Sequence, residues 1–286
     1  MINRLCVIGV GLIGGSLARA LRAAGYCGEV IGAGRDPAHL QQAVDLGVID
    51  RFETEPGKAV TGADMVLLAV PLGAMGGVFA AIRGHLAEGA VLTDAGSAKV
   101  SIIDAARSAF GRVPGYFVPG HPIAGTENSG VAASLPDLYR GRRVILTPLE
   151  DTDPTAVSRV RTMWEAAGAR VSEMEPVHHD AVLAATSHLP HVLAFTLVDS
   201  LARLGDREEI FAYAAGGFRD FTRIASSDPV MWRDICLANG DAIRRMIDRY
   251  IDDLRAINKA VSEHDGNRLL EIFTSAKQAR DRFTGN

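Results

Sequence analysis

The stretch that decides the fold is Gly9-Val10-Gly11-Leu12-Ile13-Gly14. It follows an apolar run at residues 5–10, which reads as a strand, and it opens a helical pattern over residues 14–24. Gly9 permits a tight turn, Gly11 lets backbone approach a pyrophosphate, and Gly14 lets helix and strand pack closely. The helix start, with Leu12 and Ile13 in its first turn, offers free N–H groups and a positive dipole end to phosphates. A glycine-rich turn without a ligand reads the same way in isolation. The position after the first strand, with alternation beyond it, favours a dinucleotide.

Working outward, further strand runs occur at residues 30–33, 65–70, 90–93, 116–118, 143–147 and 169–174. Helical patterns lie between several of them, as at 37–46 and at 154–167, where Asp153 reads as the N-cap and Pro154 as the first helical residue. Continuous apolar strands alternating with helices predict a parallel sheet covered on both faces. After Glu175-Pro176 the strand runs stop. Residues 178–204 read as one long buried helix kinked at Pro190, and further helices follow at 228–258 and 263–282. The expected fold class is therefore an α/β Rossmann-type domain over 1–175 followed by an all-α dimerisation domain over 176–286. Its helices are apolar enough to predict an obligate homodimer.

Composition narrows the function. A net charge of −4 with no basic run excludes a nucleic-acid groove. The three cysteines, Cys6, Cys27 and Cys236, are an odd number without a CxxC pair, which is cytoplasmic usage. No stretch approaches 18 uninterrupted apolar residues, and no cleavable leader pattern is present, so no membrane partner is expected. The expected partner is a small-molecule substrate.

Cofactor choice is read where the second strand ends, at Gly34-Arg35-Asp36-Pro37. A small residue followed by arginine suits the 2′-phosphate of NADP, because a guanidinium pairs it and nothing repels it. Asp36 has two readings: it binds ribose hydroxyls, or it caps the helix that Pro37 begins. The reading is NADP or NAD, leaning to NADP.

Four segments carry the polar chemistry. Gly120-His121-Pro122-Ile123-Ala124-Gly125-Thr126-Glu127 places an imidazole in a stiff turn after a strand, and imidazole is the side chain best suited to proton transfer near neutral pH. Thr93-Asp94-Ala95-Gly96-Ser97-Ala98-Lys99 puts Ser97 at the active edge of the sheet. Ser187-His188-Leu189-Pro190-His191 holds two histidines on one helix face, as substrate contacts or satisfied core residues; without cysteine or an HExxH pattern no metal is expected. Arg219 and Arg223, with Asp220 between, suit an anionic substrate and equally an ion-paired helix face.

Together, GVGLIGGS (9–16), TDAGSAK (93–99), GHPIAGTENSG (120–130), SHLPH (187–191) and GGFRDFTRIASSDPVMWRDI (216–235) resemble the prephenate/arogenate dehydrogenase family over nearly the whole chain. The resemblance implies NAD(P)-dependent oxidative decarboxylation of prephenate to 4-hydroxyphenylpyruvate, or of arogenate to tyrosine. It implies that His121 accepts the hydrogen bond of the ring hydroxyl and that Ser97 orients His121 and the substrate. Arg223 then pairs the ring carboxylate, and His191 with His188 meets the substrate side chain. Glu127, Arg219 and Asp220 form an ionic gate, with Thr126 beside it, and Trp232 packs. Gly34-Arg35 departs from the aspartate of NAD-using members. Neither a fused chorismate mutase segment nor a regulatory domain is expected. The alternatives are a β-hydroxyacid dehydrogenase, an imine reductase, or a cofactor-sensing protein without catalysis.

Overall fold

The computed structural model describes residues 1–126, 128–205 and 207–284. Strands β1 (Ile2–Ile8), β2 (Cys27–Ala33), β3 (Arg51–Glu53), β4 (Met65–Leu68), β5 (Val91–Asp94) and β6 (Phe117–Val118) form one parallel sheet in the order β3-β2-β1-β4-β5-β6. Helices α1 (Leu12–Ala23), α2 (Pro37–Asp45), α3 (Pro56–Ala59), α4 (Met75–Ile82) and α5 (Val100–Phe110) connect these strands. This is the doubly wound order, whose two halves diverge between β1 and β4 and bind ligands outside the carboxyl ends there. Val7, Met65, Leu67 and Val118 enter one core, while Cys6, Ile8, Val66, Leu68 and Phe117 enter the other. Burial on both faces is why these strands read as continuous apolar runs.

The last two expected strands do not extend this sheet. They form a second one, in which β7 (Gly120–Pro122) pairs antiparallel with β8 (Arg143–Leu146) and β8 pairs parallel with β9 (Arg170–Glu173). The stiff turn expected around His121 is thus a short strand, with His121 opposite Ile145. Helix α6 (Pro154–Ala166) lies between β8 and β9, and the Asp153 carboxylate accepts a hydrogen bond from Thr155 N at 2.8 Å, as the sequence predicts.

The helical part comprises α7 (Pro176–Leu183), α8 (Leu189–Ala202), α9 (Arg207–Ala212), α10 (Gly216–Thr222), α11 (Pro229–Ala238), α12 (Gly240–Ser262) and α13 (Gly266–Thr284). The single helix expected over 178–204 is interrupted by a π-helical segment, Ala184–His188, ahead of Pro190. Pro190 itself sits in the first turn of α8, where its missing N–H is not needed. Full burial was also expected here. Instead Val192, Leu193, Phe195, Leu197 and Val198 are half-buried in the single chain. Pro176–Ala202 is long and apolar enough to cross a membrane, with a mean hydropathy of 1.5, yet it carries His179, Asp180, His188 and His191. Contacts divide the chain into one compact unit, Met1–Gly240, and a second one from Asp241 onward.

Candidate active site

The glycine turn behaves as its residues require. Gly9 adopts φ +97°, and a Cβ there would stand 2.4 Å from the Ala69 carbonyl oxygen. A Cβ on Gly14 would stand 2.4 Å from the Gly9 carbonyl oxygen, so helix and strand pack too closely for any side chain. Gly11 differs: it faces open space, with no atom within 4 Å of a built Cβ. It is also the N-cap of α1, and no side chain caps the first turn. An open backbone cradle at a helix N-terminus fits the pyrophosphate of a dinucleotide. His39 on α2 supports this turn by donating from Nε2 to the Val10 carbonyl at 2.9 Å, a contact the sequence did not disclose.

Past β2, Gly34 is half-buried and Arg35 is exposed. Asp36 is the N-cap of α2, its Oδ1 accepting from Ala38 N at 2.9 Å and His39 N at 3.4 Å. Of its two readings, the structure makes the capping one.

The carboxyl ends of β5 and β6 lead to a buried polar cluster. Lys99 is wholly buried at the start of α5, and its Nζ donates to Asp94 Oδ2 and to the Gly120 carbonyl, both at 2.5 Å. Asp94 Oδ1 accepts from Gly120 N at 3.1 Å. One ion pair therefore grips both sides of the peptide that precedes His121. Burial pushes the Lys99 ammonium down from its ordinary value, against the pull of Asp94 and Asp180.

His121 Nδ1 lies 2.9 Å from His179 Nε2 on α7, and His179 Nδ1 donates to Asp180 Oδ1 at 2.8 Å. Asp180 also accepts from Lys99 N at 2.7 Å and Val100 N at 3.0 Å. Burial opposes its charge, but these hydrogen bonds prevail and hold the carboxyl below its ordinary value. Burial holds the His121 imidazole well below 6.5, helped by His179, Lys99 and His188. His121 is thus a neutral base at neutral pH. Ser97 stands half-buried in the loop between β5 and α5. The hydrogen bond to His121 that was expected of Ser97 is made by His179, because the His121 ring turns its Nδ1 edge toward α7.

The π segment brings the remaining histidines in. The Asn239 side-chain amide donates to the Asp180 carbonyl at 2.8 Å and to His188 Nδ1 at 3.1 Å, bridging the irregular turn. His188 is 1% exposed, and burial lowers its pKa to about 4. Its Nε2 is buried without a hydrogen-bond partner, as is Trp232 Nε1. His191 stacks on Trp232 at 3.7 Å and 20°, with its Nδ1 donating to the Ser187 carbonyl. Burial lowers its pKa, and the Arg223 cation acts in the same direction. Arg219 and Asp220 are exposed on α10, and Arg223 is exposed where the following 3₁₀ turn begins. Thr126 is exposed, its Oγ1 accepting from Asn128 N. Glu127 lies outside the described residues. Among the described residues no group of histidine, cysteine, aspartate and glutamate is arranged to hold a metal.

The sequence profile of the prephenate dehydrogenase nucleotide-binding domain matches residues 17–173, and that of the prephenate dehydrogenase dimerization domain matches residues 175–275. The chain belongs to the prephenate dehydrogenase family. Members of the prephenate dehydrogenase family in other organisms match it along almost its whole length. A cyclohexadienyl dehydrogenase of Zymomonas mobilis is 40% identical over 285 residues, covering 97% of this chain and 95% of its own. The A. aeolicus prephenate dehydrogenase, solved with hydroxyphenyl propionate and NAD+, is 37% identical with a TM-score of 0.92 and 99% coverage of both chains. A Synechocystis arogenate dehydrogenase is 27% identical with a TM-score of 0.81, covering 98% of this chain and all of its own. The chain is accordingly an oxidoreductase with a Rossmann-type nucleotide-binding domain and a helical C-terminal part. The readings as a hydroxyacid dehydrogenase, an imine reductase or a cofactor sensor are not favoured by these relatives.

Proposed function

We propose that the chain oxidatively decarboxylates prephenate, arogenate or both, with NAD(P) as acceptor, in tyrosine biosynthesis. The observation that carries this reading is His121: a neutral imidazole at the carboxyl edge of the sheet, its Nδ1 engaged and its Nε2 left for a ligand. Bound at the Gly9–Gly14 turn, the nicotinamide dinucleotide would accept the hydride from the ring carbon that bears the hydroxyl. His121 takes the hydroxyl proton as that carbon becomes a carbonyl. The bond from the opposite ring carbon to its carboxylate then breaks, its electrons enter the ring, and carbon dioxide leaves. The proton returns from His121 to the oxygen of the new phenol, so no net proton is needed.

Arg223 suits the ring carboxylate as a fixed cation that pulls on the neighbouring His191. His188 Nε2 and Trp232 Nε1 are buried donors lacking acceptors, an arrangement that costs about 1–3 kcal/mol each unless a ligand supplies them. The oxygens of the substrate side chain are suitable acceptors. Ser97 and Thr126 line the approach, and Glu127, Arg219 and Asp220 serve as the gate. Arg35 beyond β2, with Asp36 committed to its cap, supports a preference for NADP. The working division is a cofactor domain over 1–175 and a substrate and dimerisation domain over 176–286. The half-buried apolar side chains of α8 support a cytoplasmic homodimer.

The test is aromatic product formation from prephenate and from arogenate, each with NAD and with NADP. Turnover with at least one pair is expected, and inactivity with all four would end this reading.

A further inference from the structure

From the chain of contacts His121–His179–Asp180, we infer that His179 is a positioning residue that sets the tautomer of His121, leaving His121 Nε2 as a bare lone pair facing the substrate. The inference rests on the reading of His121 as the acceptor of the ring hydroxyl proton.

Asp180 is an acceptor on every side. Its Oδ1 takes Lys99 N and the His179 ring, and its Oδ2 takes Val100 N. A carboxylate so placed can only receive a proton from His179, which puts the hydrogen of that ring on Nδ1. In the neutral ring, Nε2 is then an acceptor. The group 2.9 Å away is His121 Nδ1, so His121 must donate there and carry its hydrogen on Nδ1. Its Nε2 is unprotonated, the state needed to receive a hydroxyl proton. When that proton arrives, His121 Nδ1–H still points at an acceptor, and the buried Asp180 charge lies one ring beyond. Without His179 nothing at Nδ1 fixes this choice, and the Nε2–H form would present a donor where an acceptor is required.

The rest of the cluster holds the relay at both ends. The Asp94–Lys99 pair grips Gly120, next to His121, while the backbone of Lys99 and Val100 grips Asp180. The two residues that share a hydrogen bond, His121 and His179, are thus anchored to one short segment at the start of α5.

Two variants of His179 separate positioning from packing, and both leave the backbone bonds of Asp180 in place. H179L removes the acceptor while filling the space. H179Q restores it, because its amide oxygen can accept from His121 and its amide nitrogen can donate to Asp180. With wild-type turnover established on prephenate or arogenate, H179L is expected to lose about 10²- to 10⁴-fold in kcat with cofactor affinity unchanged. H179Q should stay within about tenfold of wild type on the same scale. Equal kcat for wild type and H179L would overturn the inference.

A second readout does not depend on activity. Nitrogen-15 NMR of histidine-labelled enzyme near pH 7.5 should show His121 protonated at Nδ1 in wild type and H179Q, and shifted toward Nε2 protonation in H179L. A wild-type His121 protonated at Nε2 also overturns it. If no substrate pair is turned over, the proposed function fails, yet the NMR result still decides the tautomer.

Discussion

His121 and His179 stand 58 positions apart in the chain, yet their ring nitrogens lie 2.9 Å apart, strand β7 meeting helix α7 through two imidazoles. The contact links the nucleotide-binding sheet to the helical segment that carries His188 and His191. It also makes the protonation state of His121 a property of a cluster. The groups facing it are His179 and Asp180 from α7, Lys99 from the start of α5, and His188 from the π segment.

The pH profile follows from that cluster. Burial and the neighbouring cations hold His121 below the ordinary imidazole value of 6.5. A base must be neutral to work, so kcat/KM should be flat through neutrality and fall only as pH drops beneath that value. The acid limb of kcat/KM, measured with saturating cofactor, checks this. A limb centred at or above pH 6.5 contradicts it.

Two glycines two turns of argument apart in function should respond oppositely to alanine. At Gly11 the added methyl meets no protein atom, so G11A should leave the melting temperature nearly unchanged while weakening dinucleotide binding tenfold or more, about 1.4 kcal/mol. At Gly14 the methyl collides with the Gly9 carbonyl and Val7, so G14A should unfold at lower denaturant before any ligand is added. Calorimetric titration and chemical denaturation of both variants separate ligand space from packing space.

Lys99 and Asp94 are both completely buried. Removing one partner strands the other charge, and K99M is expected to cost about 3–5 kcal/mol of folding stability. Urea unfolding of the two proteins measures it. A loss below about 1 kcal/mol would mean that Asp94 is satisfied by Gly96 N and Gly120 N alone.

Arg35 bears on cofactor choice without touching the proposed proton acceptor. R35D should lower the ratio of kcat/KM for NADP over NAD by about tenfold or more, since a carboxylate repels the 2′-phosphate and accepts from the ribose hydroxyls. An unchanged ratio places the specificity elsewhere.

Much of the fold is legible in the sequence because burial on both faces writes itself as continuous apolar runs, as at Val7–Ile8 and Met65–Leu68. The Asp36 and Asp153 caps are equally local, since acceptor and donors lie within three residues. The second sheet is not, because β7 has only three residues and its partner begins at Arg143, too short a run to display a period. Lys99, His179 and Asp180 stayed hidden for a related reason. Lys99 and Asp94 sit in a motif quoted for its serine, and His178-His179-Asp180 reads as the polar opening of a helix. Their meaning lies in partners dozens of residues away, which no spacing in one sequence reveals.

The π segment Ala184–His188 makes the length of this helix as binding as its composition. Each helical residue turns the chain by about 100°, so deleting one residue between Leu183 and Leu189 would regularise the winding and rotate everything beyond it by that angle. His179 would stay beside His121, while His191 and its stack on Trp232 would swing to another face. Substitutions are therefore tolerated here more readily than a change in residue number. In a family of such chains this short stretch acts as a phase adjuster, one that insertions and deletions must avoid.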